Sequence, residues 1–305
     1  MKLLLNKAEL TSEKLSDVIL SSFEKYGHVT LLCDETLLNG FFDEFTQNLT
    51  DFEKEPIELA ASSRNKKADL FFIKIKKKED LENTLNFLTD TLLLNLDQQE
   101  DGYFICGFGY VDDLKVTVEN YKKFLIAKDA KNKFIFRWYD ARVLVYLPTI
   151  IHQKSEQIES ILQHWNFVFF NGLYEVRMEE RLQVFPFNFN EIESQRLDLI
   201  ELSNTVIKQS LKYDSELEIN HNLILESLDK AIKQYGILFV TDLIAYGMYS
   251  VILHHDFMHS PTVNKVLTQY WTDRVREESF TDAMSYLEEH QYLQVKQESE
   301  GVYHV

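Results

Sequence analysis

The spacing of apolar residues changes once along this chain, near residue 188, and that change limits the possible folds more than any other feature. Before it, short extended runs alternate with helical stripes. After it, to about residue 289, only the helical period remains. Thr11 and Ser12 offer caps to a run in which Leu15, Val18, Ile19, Ser22, Phe23 and Tyr26 share a face, and Gly27 stops it. Further helical stripes are expected at 36–49, 80–96, 112–125 and 140–151. Between them lie extended runs at 28–33, 57–60, 69–75, 103–108 and 133–139, and 167–170, 174–178 and 182–187 resemble hairpin strands. Strands alternating with helices of this length predict an α/β lobe over 1–188, a mixed sheet flanked by helices whose crossovers make part of it parallel. Residues 189–305 predict an all-helical lobe. Its helices are expected at 191–211, 219–235, 237–253, a segment begun by Ser260 as cap with Pro261 in its first turn, and 281–289, with a short strand in the tail.

Composition narrows the function classes. The 305 residues hold only 9 Gly and 4 Pro, too few for a turn-dense all-β chain. A net charge of −17 repels the phosphate backbone, so no nucleic-acid partner is expected. Cys33 and Cys106 sit in apolar runs and cannot build a disulfide framework; buried, reduced thiols fit a cytoplasmic protein. The early leucines give way to Asn6, Lys7 and Glu9, too soon for an export signal. The apolar stretch 236–253 contains Asp242 and ends at His254, His255 and Asp256, which favours a buried helix over a membrane span.

Most chemical signatures are missing. The Cys106-Gly107-Phe108-Gly109 stretch before Asp112 has the strand, glycines and helix of a phosphate loop, but it lacks a third glycine, and Asp112 and Asp113 would oppose an anion. His254, His255, Asp256 and His259 form the one metal-like cluster, at a helix end where imidazoles also cap carbonyls. No cofactor or metal is expected there, although an α/β enzyme using a nucleotide or this 254–259 cluster stands as the alternative function. Carboxylate pairs such as Asp34-Glu35 and Glu179-Glu180 read as solvated charge in so acidic a chain. His28 and Cys33, on one extended strand, are too far apart to pair.

The most informative stretch is 134–144. An apolar strand delivers Arg137 and Tyr139 at its end, Asp140 is placed to cap the next helix, and Arg142 lies in the first turn, where a cation wants a carboxylate partner. Two readings stand: Arg137, Asp140 and Arg142 form an internal ion-pair and cap network fixing the corner, or they contact a partner directly.

This stretch resembles the signature of the type VI secretion effector-adaptor chaperones, the Tap or Tec type proteins associated with the VgrG spike, whose pattern is Arg-Phe-Tyr-Asp-Pro-Arg-Val-Leu. Arg137, Tyr139, Asp140, Arg142, Val143 and Leu144 match it, while Trp138 replaces the phenylalanine and Ala141 the proline. The strand and helix before it (104–125) are similar to the family, as is the later pattern of Tyr235-Gly236-Ile237, Asp242, His255-Asp256-Phe257, Pro261 and Val266-Leu267. The family's histidine-leucine-arginine step is replaced here by Asn120-Tyr121-Lys122. The resemblance implies a non-enzymatic cytoplasmic adaptor with an α/β lobe and a helical lobe. Such an adaptor binds a toxin effector and promotes its loading onto the VgrG or PAAR spike protein. Arg137, Trp138, Tyr139, Asp140 and Arg142 would then be structural or partner-binding residues.

Overall fold

In the computed structural model, residues 4–35, 41–58, 70–94, 104–151, 164–177, 187–271 and 279–300 are described. They divide between two units, Met1–Glu191 and Ile192–Val305. The expected strand at 182–187 falls almost wholly outside the described residues, as does the Glu179-Glu180 pair.

In the first unit the elements are β1 (Leu4–Glu9), α1 (Ser12–Tyr26), β2 (Val29–Asp34), α2 (Phe41–Thr46), β3 (Phe52–Pro56), β4 (Leu70–Ile75), α3 (Lys78–Leu94) and β5 (Ile105–Gly109). There follow α4 (Leu114–Phe124), β6 (Ile126–Lys128), β7 (Lys133–Ile135), α5 (Ala141–Leu144), α6 (Leu147–Ile150), β8 (Trp165–Phe169) and β9 (Gly172–Arg177). Seven strands form one sheet in the order β1-β9-β8-β5-β2-β4-β3, and β6 and β7 form a separate ribbon. The expected α/β class is observed. The expected parallel pairing is not: every strand pairing in both sheets is antiparallel.

The topology explains that correction. β4 and β5 do run parallel and are joined by α3, but β2 lies between them, antiparallel to both. β2 and β3 are likewise parallel, joined through α2, with β4 between them. Each crossover therefore skips a strand, and pattern alone does not show which strand fills the gap. All six residues of β2 are buried because helices cover both faces, the burial pattern usually associated with parallel sheets. On one face, Leu31, Cys33 and Ile73 share a core with Leu15 and Ile19 of α1 and Leu81 and Leu88 of α3. On the other, Phe72 meets Tyr121 of α4 edge-on, with ring centroids 5.3 Å apart.

Local chemistry sets the ends of several elements. Thr11 accepts from the Lys14 amide at the start of α1, and Gly27, at φ 73°, takes the left-handed turn that ends it. The expected helix at 140–151 is two short turns, α5 and α6, and the expected strand at 133–139 stops at Ile135. Leu4–Glu9, for which no element was expected, form β1, which pairs with β9.

The second unit is helical as expected: α7 (Glu191–Asp198), α8 (Ile200–Tyr213), α9 (His221–Tyr235), α10 (Val240–Ile252), α11 (Pro261–Tyr270), α12 (Phe280–Met284) and α13 (Tyr292–Glu300). The tail expected as a strand is α13 over its described residues. Ser260 caps α11 by accepting from the Val263 amide, with Pro261 in the first turn. Gly247 lets α10 approach α8, since a Cβ there would strike the Val206 side chain. No helix among the described residues is long and apolar enough to cross a membrane.

Candidate functional site

The signature stretch folds as a corner rather than the end of a strand. After β7, Phe136 donates its amide to the Leu125 carbonyl, and residues 137–140 turn into α5, with the Asp140 amide donating to the Arg137 carbonyl. Asp140 is the N-cap of α5. Its Oδ1 accepts from the Arg142 amide at 3.0 Å. The same carboxylate takes a two-pronged contact from the Arg142 guanidinium, Nε to Oδ1 at 3.0 Å and Nη2 to Oδ2 at 2.6 Å. The cation that begins a helix unfavourably is thereby held on the residue that caps it.

Arg137 faces a second carboxylate. Its Nη2 donates to Asp34 Oδ2 at 2.7 Å and stands 3.8 Å from Asp140 Oδ2. Tyr139 donates its hydroxyl to the same Asp34 oxygen at 3.1 Å. Asp34 and Asp140 are buried, whereas the Arg137 side chain is 37% exposed and that of Arg142 22%. Burial, followed by the nearby Asp34 charge, raises the Tyr139 pKa, so the phenol stays protonated and remains a donor. Burial opposes the charge on Arg137, but Tyr139, Asp34 and Asp140 around it outweigh that effect and raise its pKa.

Trp138 points the other way and is wholly buried. Its ring lies 4.7 Å from Tyr121 and 6.5 Å from both Phe124 and Phe187, which makes it the packing centre beneath α4. A buried indole cannot touch a partner directly. Of the five signature residues that were expected to carry the site, Trp138, Tyr139 and Asp140 are buried, and Arg137 and Arg142 are not.

The sequence reading missed Asp34. It was expected to be solvated charge beside Glu35, but it ends the apolar run of β2 and is 3% exposed. Its position directly after five apolar or β-branched residues was the available signal, because a carboxylate carried into a core by its strand needs cationic or hydroxyl partners.

The other candidates separate clearly. Gly107 and Gly109 lie within β5, not in a loop. A Cβ at Gly107 would strike the Trp165 indole nitrogen and the Asn166 carbonyl, and one at Gly109 the His164 carbonyl, so the glycines serve the close approach of β8. Asp113 caps α4 by accepting from the Val116 amide, as acidic helix caps do. The expected acidic helix cap is present, and the glycines that were expected to sit in a turn belong to the strand instead. Both cysteines are buried free thiols, and burial pushes them above their usual pKa.

The histidine cluster does assemble. Ligand atoms of His254, His255 and Asp256 lie within 4.8 Å of one another. The carboxylate is already engaged: Lys230 Nζ donates to Asp256 Oδ1 at 2.8 Å, and His255 Nε2 is 3.2 Å from Oδ2. His259 Nδ1 is 3.8 Å from Asp256 Oδ1, and the Asp256 amide donates to His254 Nδ1 at 3.2 Å. An ion there would have to compete with an ammonium for the Asp256 carboxylate.

Comparison of the chain with models of known protein families, with curated proteins and with solved structures gives no match.

Proposed function

We propose that this protein is a non-enzymatic adaptor chaperone that binds a type VI secretion toxin effector and promotes its loading onto the VgrG or PAAR spike. The reading rests on the resemblance of 137–144 to the adaptor signature. The observation that carries it is the geometry of that stretch: Arg137 and Arg142 are each held on a buried carboxylate while keeping part of the side chain exposed. Arginines fixed in this way lose little conformational freedom on meeting a partner and suit the rim of an interface. The net charge of −17 would steer a basic effector segment toward the chain.

The test is purification of the tagged chain, under mild salt, from a bacterium with an active type VI cluster, followed by mass spectrometry of the proteins that co-elute. Recovery of a toxin-domain protein with VgrG or PAAR components is expected, and its loss with Arg142→Lys, which keeps a cation on Asp140, at unchanged melting temperature would assign the arginine to the interface. Elution of the chain alone with the cluster induced overturns the reading.

The assembled His254, His255 and Asp256 cluster favours a second reading, an enzyme using a divalent metal. Calorimetric titration with zinc decides it. Tight, saturable binding abolished by His254→Ala would support the metal site, and a silent titration would remove it.

A further inference from the structure

The ribbon formed by β6 and β7 reverses the charge of the surrounding chain. Residues 115–133 contain six lysines against two carboxylates, Glu119 and Asp129, in a protein of net charge −17. Lys115, Lys128 and Lys133 are exposed and have no carboxylate partner among the described residues, while Lys131 lies near Asp129 in the turn. Register places Lys128 opposite Lys133 and Ile126 opposite Ile135. Successive pairs on one face of a ribbon are two residues apart, so these four side chains share a face. All four are exposed, Ile135 at 58% and Ile126 at 46%. Like charges directly opposite one another weaken a strand pair, so the ribbon carries a repulsion that no ion pair among the described residues offsets.

The backbone at this place is also unfinished. The Phe136 amide donates to the Leu125 carbonyl at 2.8 Å and the Asp129 amide to the Asn132 carbonyl at 3.0 Å. These bonds flank the two exposed pairs, so the N–H and C=O groups of Lys133 and Ile135 point away from β6. On the opposite edge, Lys128 exchanges bonds with Phe187 and Phe189 at 3.0 and 2.8 Å. The outward groups of Lys133 and Ile135 have no backbone partner among the described residues. The turn is held in shape by Asp129, whose Oδ1 accepts from the Lys131 and Asn132 amides at 2.7 and 2.6 Å.

We propose that β7 is a docking edge to which an extended partner segment adds as a strand, with an acidic side chain beside Lys133 and an apolar one beside Ile135. Main-chain bonds would supply affinity and the alternate side chains specificity. The acidic residue would relieve the Lys128–Lys133 repulsion. This inference does not depend on the adaptor reading.

The experiment uses the full chain and a fluorescein-labelled peptide, Ser-Glu-Thr-Val-Thr-Glu-Ser, followed by anisotropy. Saturable binding is expected. Ile135→Pro removes an outward N–H and no bond of the ribbon, as an edge strand tolerates, and should weaken binding about tenfold or more at unchanged melting temperature. Lys133→Glu should do the same without touching the backbone, and so should methylation of alternate peptide amides in the probe. No saturable binding, or equal binding by the methylated peptide, overturns the proposal. So does capture of the chain by phosphatidylserine vesicles or oligothymidylate that Lys133→Glu abolishes and Ile135→Pro leaves intact, since phosphate would then be the ligand. A dimer in sedimentation equilibrium that Ile135→Pro dissociates would also overturn it, assigning the edge to a second copy.

Discussion

Asp34 Oδ2 accepts from Arg137 Nη2 at 2.7 Å across 103 residues of chain, which fastens the end of β2 to the corner before α5. Tyr139 donates to the same oxygen, so one buried carboxylate fixes the direction of two side chains of the signature. Asp34→Asn should lower stability by about 2 kcal/mol, the cost of replacing a charged acceptor whose donors stay behind. In urea unfolding, an Asp34→Asn/Arg137→Met cycle should show coupling of about 1 kcal/mol, modest because Arg137 is partly solvated. Additive single effects would mean the pair is incidental to the corner.

Gly107→Ala tests whether the β5 glycines serve packing. The added methyl would meet the Trp165 indole nitrogen and the Asn166 carbonyl, one of them backbone. A loss of about 2 kcal/mol is expected in urea unfolding, together with a changed tryptophan fluorescence maximum. Unaltered stability would return these glycines to a role in ligand binding.

The acid limb of stability should belong to three carboxylates. Burial alone would raise the pKa of Asp80, but amides of Asp51 and Thr50 and the Thr50 hydroxyl hold it below its usual 3.8. Asp242 is likewise lowered against its burial by Thr281 and Ser279 and by the Phe280 amide. Burial would raise Glu298 too, but Ser260, Thr262 and Gln294 together lower it. In each case the folded pKa lies below the unfolded one, so the unfolded chain binds more protons in acid. Their stabilisation is present above the unfolded values, 3.8 for the aspartates and 4.5 for Glu298, and is lost as pH falls through the folded values. Melting temperatures measured from pH 7 to pH 3 should fall below about pH 4.5, and Asp242→Asn should flatten that fall for the helical unit.

Neither thiol should react in the native protein. Cys33 and Cys106 are buried, and desolvation holds both in the unreactive protonated form. Iodoacetamide followed by intact-mass analysis should add nothing under native conditions and two groups in denaturant. Rapid native labelling at either residue would show that the sheet core opens locally.

Local signals were legible wherever one residue decided them. Thr11, Asp113, Asp140 and Ser260 cap as their residue types require, and Gly27 and Gly236 end helices in the left-handed conformation. The Asp140–Arg142 contact could be read as a need, since a cation in a first turn seeks a carboxylate. Asp34 could not be matched to Arg137, because strand order decides which distant carboxylate arrives at the corner. The strand order itself was hidden for the same reason: burial on both faces of β2 looks alike whether its neighbours are parallel or antiparallel. The break between α7 and α8 at Leu199 has no glycine or proline to announce it.

The skipped-strand topology also has a consequence for synthesis. β2 has no neighbour until β4 and then β5 have been made, and Glu9 of β1 waits for Gly172 of β9. At about 5–20 residues per second of translation, the first strand spends roughly ten to thirty seconds outside the ribosome with a bare edge. A nascent chain of this design is a natural client for a holdase. Its yield in a cell should depend on chaperone supply more than the stability of the finished protein would suggest.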